Sequence, residues 1–332
     1  MSLEAEVLAA LLAWLDKGES AFLCTVTSTW GSSPRPVGSL MACTKEGLQA
    51  GSLSGGCVEE ALLASLASGF LVCDEPVFIR YGETTEEQQC LQLPCGGTLG
   101  VFIEPVKAGG VFHQHIAEIV NALQQRKLVR RIYNYVSRHF ICGVPETERE
   151  AENNESASAF FDFENIDKGS VIRHCYGPQF HLFLIGVSEV SRALARFALL
   201  MDYRVTVCDS RAEQIARWNI AGARAVCAMP DELLLKEACD PRSAIIALAH
   251  DPRVDDMGLM EAFNTDAFFI GAMGSLRTSE ARRLRLLELG VTEAQLNRLH
   301  APVGMMTGSK TPAEIAVSIL AQLTSVRNGV SH

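Results

Sequence analysis

The stretch Gly51-Ser52-Leu53-Ser54-Gly55-Gly56-Cys57-Val58-Glu59-Glu60, followed by an Ala/Leu-rich helix, combines the parts needed for anion and thiolate chemistry. Glycines let consecutive backbone N–H groups converge on an anion, and a helix start adds a favourable dipole. The same field lowers the pKa of a thiol such as Cys57. The competing reading is a tight strand-to-helix turn around a small buried cysteine.

Two further segments bear on that choice. Gly31-Ser32-Ser33-Pro34-Arg35-Pro36-Val37-Gly38 fixes Arg35 between prolines, restricting the backbone around a cation suited to phosphate or carboxylate, although such an arginine also serves in surface ion pairs. Leu93-Pro94-Cys95-Gly96-Gly97 sets a second cysteine beside two glycines, just before a strand reaching Glu104-Pro105. Two Cys-Gly turns and a rigid arginine can surround a ligand that carries both an oxyanion and a soft atom. Molybdopterin, with its phosphate, dithiolene and metal, is such a ligand, and Cys57 and Cys95 are then the candidate contacts to molybdenum.

In the second half, Gly186-Val187-Ser188-Glu189-Val190-Ser191 stands where a dinucleotide fingerprint would show three glycines or a final alanine. Only the first glycine is present. Ser188 restricts approach to a pyrophosphate and Glu189 puts negative charge beside it, so NAD(P) binding is disfavoured even though Asp209 ends the next strand where a ribose-binding acid would stand. Later turns hold His250-Asp251-Pro252, Gly271-Ala272-Met273-Gly274-Ser275 and His300-Ala301-Pro302-Val303-Gly304. Ligands of open α/β sheets lie beyond the C-terminal strand edge, where the first two of these turns should emerge. His250 and Asp251 suit proton transfer or metal ligation, or simply a turn ahead of a helix.

The elements that must position these residues read as an α/β chain. Apolar runs Phe180 to Ile185, Arg204 to Cys208, Ala244 to Ala249 and Ala267 to Ile270 alternate with helical stretches, which predicts a doubly wound parallel sheet. Its closing helix starts at Thr311-Pro312-Ala313-Glu314, a capping box with proline at the first helical position. Gly308-Ser309-Lys310-Thr311 resembles the end of a phosphate loop, but Val303 stands where that loop needs a glycine. The first half reads as α+β, with an amphipathic helix from Leu3 to Leu15 and strands over Ala21 to Ser28, Ser39 to Thr44 and Leu99 to Glu104. Val129 to Val136 and Ser170 to Cys175 are strands completing the first domain. The acidic run from Glu146 to Ser158 reads as an exposed loop or disordered insertion, and a boundary near Gly177-Pro178 gives domains 1–177 and 178–330.

Composition narrows the partners. The chain has 332 residues, 11 cysteines and a net charge of −10, with no Lys/Arg cluster, which argues against a nucleic-acid groove. The cysteines are odd in number, scattered and without a C-x-x-C pair, so reduced thiols are expected and a structural zinc is not. No apolar run reaches membrane-spanning length and the N-terminus has no signal-peptide pattern; a cytoplasmic protein is expected.

Taken together the motifs resemble the XdhC/CoxI family, the accessory proteins of xanthine dehydrogenase and carbon monoxide dehydrogenase maturation. The resemblance is carried by Gly31-Ser32-Ser33-Pro34-Arg35, Gly55-Gly56-Cys57-Val58-Glu59 and Cys95-Gly96-Gly97-Thr98, and later by His250-Asp251-Pro252, Gly271 to Ser275, His300 to Gly304 and Thr311 to Ala316. It implies a Rossmann-like second domain and binding of the molybdenum cofactor. It also implies assistance with sulfuration or insertion, and transfer to apo xanthine dehydrogenase or another molybdenum hydroxylase, with a cysteine desulfurase as a further partner and a homo-oligomeric state. The candidate cofactor-binding residues are Arg35, Gly55, Gly56, Cys57, Cys95, Gly96, Gly97, His250, Asp251, Gly271, Gly274 and Ser275, with Gly186 and Asp209 for a nucleotide. The chain departs from the family where such proteins usually show a Gly-x-Gly-His turn and it shows Ser188 and Glu189. An NAD(P)-dependent oxidoreductase and a protein-binding scaffold are the alternatives.

Overall fold

The computed structural model describes residues 3–30, 35–69, 74–82, 84, 97–134, 139–143, 161–164, 171–237 and 239–330. The run from Glu146 to Ser158 lies outside them. The chain divides into two units, Met1–Pro178 and Gln179–His332.

Unit 1 is built on an antiparallel five-stranded sheet of order β3-β2-β1-β5-β4, from β1 (Ala21–Trp30), β2 (Leu40–Cys43), β3 (Gln49–Gly51), β4 (Val77–Tyr81) and β5 (Thr98–Val106). Alternation along β1 gives the sheet two apolar faces. Phe22, Cys24 and Val26 meet Val58, Leu62 and Leu66 of α2 (Cys57–Ala67), while Ala21 and Leu23 meet α1 (Leu3–Asp16) and α3 (Val111–Gln124). Burial on both faces is why β1 reads as an almost continuous apolar run rather than an alternating one. A second antiparallel sheet, β7-β6-β9-β8, comprises β6 (Val129–Asn134), β7 (His139–Gly143), β8 (Phe161–Glu164) and β9 (Val171–Tyr176).

The two sheets of unit 1 meet through a buried polar cluster. Arg131 of β6 donates from both terminal nitrogens to the Glu104 carboxylate of β5, at 2.8 and 2.7 Å. Arg131 is paired across the ladder with His174. Burial, and then the Arg131 charge, pull the His174 imidazole down to about 3, so it is neutral. The cavity at this cluster is about 10 Å³, room for one water at most, which makes the cluster a structural joint rather than a ligand site.

Unit 2 is a six-stranded parallel sheet of order β12-β11-β10-β13-β14-β15, formed by β10 (His181–Ile185), β11 (Arg204–Asp209), β12 (Ala223–Cys227), β13 (Ser243–Ala247), β14 (Phe269–Ala272) and β15 (Leu299–His300). This is the doubly wound order whose direction reverses between the first and fourth strands of the unit, here β10 and β13. One face packs on α4 (Glu189–Leu200) and the C-terminal helix α10 (Pro312–Arg327). The other packs on α6 (Pro230–Lys236), α7 (Pro252–Ala262) and α8 (Leu276–Glu288), with two short helices, α5 (Ala212–Ala216) and α9 (Glu293–Leu296), at the margins. Helix α10 starts as its sequence dictates: Thr311 caps it by accepting from the Glu314 N–H, Glu314 reaches back to the Thr311 N–H, and Pro312 occupies the first turn.

Among the described residues no helix is long and apolar enough to cross a membrane. Of the described cysteines, Cys43, Cys142, Cys175, Cys208 and Cys227 are free thiols. Cys208 is inert, since burial pushes its thiol up to about 12.

Candidate functional site

Antiparallel pairing starts three connections of unit 1 at one end of the five-stranded sheet. Strand β1 ends at Trp30 and β5 starts opposite it at Thr98; β4 ends at Tyr81 opposite Leu99; β2 starts at Leu40 and β3 ends at Gly51, opposite Met41. The connections 31–39, 52–56 and 82–97 therefore all depart from that end. Arg35, half-buried, stands on the first, Gly55 and Gly56 on the second, and Gly97 at the end of the third. Cys57 is the first residue of α2. Cys95 and Gly96 lie outside the described residues. Gly51 admits no side chain: at φ +80, a Cβ would lie 2.3 Å from the Leu40 carbonyl oxygen and 2.5 Å from Val7 of α1.

The amides of the second loop do converge on an anion, and the anion is the chain's own. Glu59 Oε1 accepts from the N–H groups of Leu53, Ser54 and Gly55 at 2.8, 2.8 and 3.0 Å and from the Ser52 hydroxyl at 2.6 Å. Its Oε2 accepts from the Gly56 N–H at 3.0 Å and from the Ser54 hydroxyl. Glu59 is 3% exposed. Burial alone would raise its carboxyl, but the Ser52 and Ser54 hydroxyls and the loop amides outweigh burial and hold it far below the usual carboxylate range. The sequence carries a signal for this contact, a Glu three residues after the helix cap Gly56, as in a capping box. Residue types alone do not tell that one carboxylate gathers four consecutive amides.

In unit 2 the turn after β10 is likewise satisfied from within. The Gly186 N–H donates to the Cys208 carbonyl at 2.7 Å and the Val187 N–H to Asp209 Oδ2 at 2.9 Å. The Ser188 N–H donates to the Ser191 hydroxyl, while the Ser191 N–H donates to Ser188 Oγ. Asp209 also accepts from the Arg211 N–H, Nε and Nη2 at 3.0, 2.9 and 2.8 Å. Burial would raise the Asp209 carboxyl, but the Arg211 and Val187 hydrogen bonds keep it low. A pyrophosphate at this helix start and a ribose at this aspartate would each have to displace bonds already made.

The turn after β13 has a different character. His250 is exposed and adopts φ +59, a left-handed conformation costing a non-glycine residue roughly 1–2 kcal/mol. Asp251 caps α7 by accepting from the Arg253 N–H and pairs with the Arg253 side chain. The turn hangs on a buried network that sequence reasoning passed over. Asp255 accepts from the Ala249 N–H at 3.0 Å and from Arg282 Nη2 at 3.2 Å, and Arg282 Nη1 donates to the Met273 carbonyl at 3.1 Å. Asp256 and Arg285 extend it. One Asp–Arg pair thereby ties the His250 turn to the turn carrying Gly274 and Ser275, which caps α8. Gly271 sits within β14 for packing, since a Cβ there would lie 2.7 Å from Val303. His300 stacks on Phe269 at 4.5 Å and is kept low by burial.

Strain at an exposed histidine has a measurable signature. His250→Gly is expected to leave the fold at least as stable as the parent, with a gain of up to ~1 kcal/mol, or ~2–4 °C in Tm, while removing the imidazole from the strand edge. A loss above ~1 kcal/mol in thermal unfolding would mean that the ring itself holds the turn.

Among the described residues no group of three His, Cys, Asp or Glu is placed to hold a metal ion. The model described as the XdhC Rossmann domain matches residues 182–323, and that described as the XdhC and CoxI family matches residues 14–82. The molybdenum cofactor insertion chaperone PaoD of Escherichia coli is 27% identical over 317 residues, covering 94% of this chain and 85% of PaoD. A Bacillus subtilis protein named as a probable xanthine dehydrogenase component is 25% identical over 333 residues, covering 96% of this chain and 97% of the relative. In fold, the chain is similar to a crystal structure of a xanthine dehydrogenase from Bacillus halodurans, with a TM-score of 0.72 at 22% identity over 98% of this chain and 97% of that one. With residues 14–82 of unit 1 and residues 182–323 of unit 2 matched by these models, and relatives similar over nearly its whole length, the chain belongs to the XdhC and CoxI family.

Proposed function

We propose that the chain binds the molybdenum cofactor and holds it for insertion into xanthine dehydrogenase or a related molybdenum hydroxylase. The observation that carries this reading is the departure of three motif-bearing connections from one end of the unit 1 sheet. Family membership and the likeness to PaoD support it. The donor chemistry fits the group. A soft thiol position at Cys57, with Cys95 beside Gly96 and Gly97 on another of the connections, suits a metal dithiolene, and Arg35 suits an oxyanion. When bound, the cofactor supplies the redox-active molybdenum that the client enzyme uses. The work of this chain is to grip, orient and release it.

In unit 2, His250, Asp251, Gly271, Gly274 and Ser275 are the proposed contacts, while Gly186 and Asp209 keep a structural role because their hydrogen-bonding groups are occupied. Handling a sulfurated cofactor, with a cysteine desulfurase as sulfur source, and self-association are the finer parts of the proposal.

The test is pterin analysis after anaerobic purification from cells that make the cofactor. The expected result is molybdopterin bound to the parent and reduced at least tenfold in Cys57→Ser and Cys95→Ser. Unchanged retention in both variants and in the double variant overturns the assignment. Micromolar NAD or NADP binding by calorimetry, lost in Asp209→Ala, would favour the oxidoreductase reading instead.

A further inference from the structure

A glycine-rich loop before a helix ordinarily offers its amides to a ligand's phosphate. Here Leu53, Ser54, Gly55 and Gly56 give theirs to Glu59, two residues beyond Cys57. An ordinary capping box returns one side-chain bond to one cap amide; Glu59 gathers four amides and two hydroxyls. The loop conformation depends on this, because Gly55 at φ +96 and Gly56 at φ +150 turn the successive N–H groups inward. Four inward-turned N–H groups without an acceptor would be costly, so the loop and the carboxylate stand or fall together.

We infer that Glu59 is a positioning residue: as a built-in oxyanion it closes the Leu53–Gly56 amides to outside anions and fixes the backbone from which Cys57 departs. The inference rests on the proposed cofactor role only in its second half. It assigns the loop to presenting the thiol, and the oxyanion of a bound pterin to groups other than these amides.

The experiment compares the parent with Glu59→Ala and Glu59→Gln in the full chain without cofactor, reading Tm and the rate at which iodoacetamide alkylates Cys57, with and without formate, acetate or inorganic phosphate. The parent is expected to be indifferent to the anions at tens of millimolar. Glu59→Ala should have a lower Tm and an alkylation rate changed severalfold, both returning toward the parent with a small carboxylate that refills the vacated space. Glu59→Gln keeps the volume but points an NH2 group at N–H and O–H donors, so it should show the defect without rescue. If Glu59→Ala does not fold, Glu59→Gln alone decides: parental Tm and parental alkylation overturn the inference. Absence of any anion effect on a folded Glu59→Ala also overturns it, as does anion-dependent stabilisation of the parent. Molybdopterin retention separates the two claims. Retention at parental level in Glu59→Ala removes the positioning role while leaving cofactor binding intact. Anion rescue in a chain that binds no molybdopterin in any form leaves the closed loop standing and removes the cofactor reading.

Discussion

Arg131→Met is expected to lower the stability of the chain by about 3–5 kcal/mol, because it leaves a carboxylate buried without its cation. Glu104 is 1% exposed and Arg131 5%, so neither charge can turn to water when the other is removed. The guanidinium also lies 5.7 Å over the Phe112 ring of α3, packing that methionine replaces only in part. The double variant Glu104→Leu/Arg131→Met should recover to within about 1 kcal/mol of the parent, since two apolar side chains remove both desolvation costs together. Urea unfolding of the full-length single and double variants is the measurement. A single-variant loss below about 1 kcal/mol would mean that water reaches the pair and that it does not join the two sheets.

The second large effect is expected at the switch point of unit 2. A Cβ on Gly186 would stand 2.4 Å from the Ala249 Cα and 2.7 Å from its nitrogen, and the residue has φ +94. Gly186→Ala therefore combines left-handed strain with a backbone collision between the turns after β10 and β13, and should cost about 2–5 kcal/mol. Gly222→Ala is the control: its φ is +86, but the nearest atom to its Cβ is a flexible Leu199 methyl at 3.5 Å. It should cost only the conformational part, about 1–2 kcal/mol. Equal losses at the two positions in thermal unfolding would show that the turns do not press on each other. Because Ala249 precedes the strained His250, the same substitution should also disturb the exposed, left-handed histidine at this strand edge.

These effects divide according to what a sequence can specify. Local rules were enough for the long, strongly patterned elements: the helix Leu3–Asp16, the box opening α10, and the strands β1, β5, β10, β11 and β13. The same holds for the alternation of strands and helices that requires a parallel sheet in unit 2. Short or half-exposed strands escaped, because two residues at β15, or the half-exposed Ala223–Cys227, carry too little apolar period to stand out from a loop. The chemistry-bearing residues were visible by type, but their partners were not. Glu104 and Arg131, or Asp255 and Arg282, are each 27 residues apart and sit where a charge reads as solvent-facing. Only strand register and helix packing set them against each other in the dry interior. Residue order alone offers two readings of the glycine loop ahead of Cys57, a turn that gathers its amides on an anion or a tight strand-to-helix turn around a small cysteine. The folded structure shows the anion to be the nearby Glu59, and it starts three connections of unit 1 at one end of the sheet, because strand pairing depends on where distant backbone comes to lie, which local residue preferences do not encode.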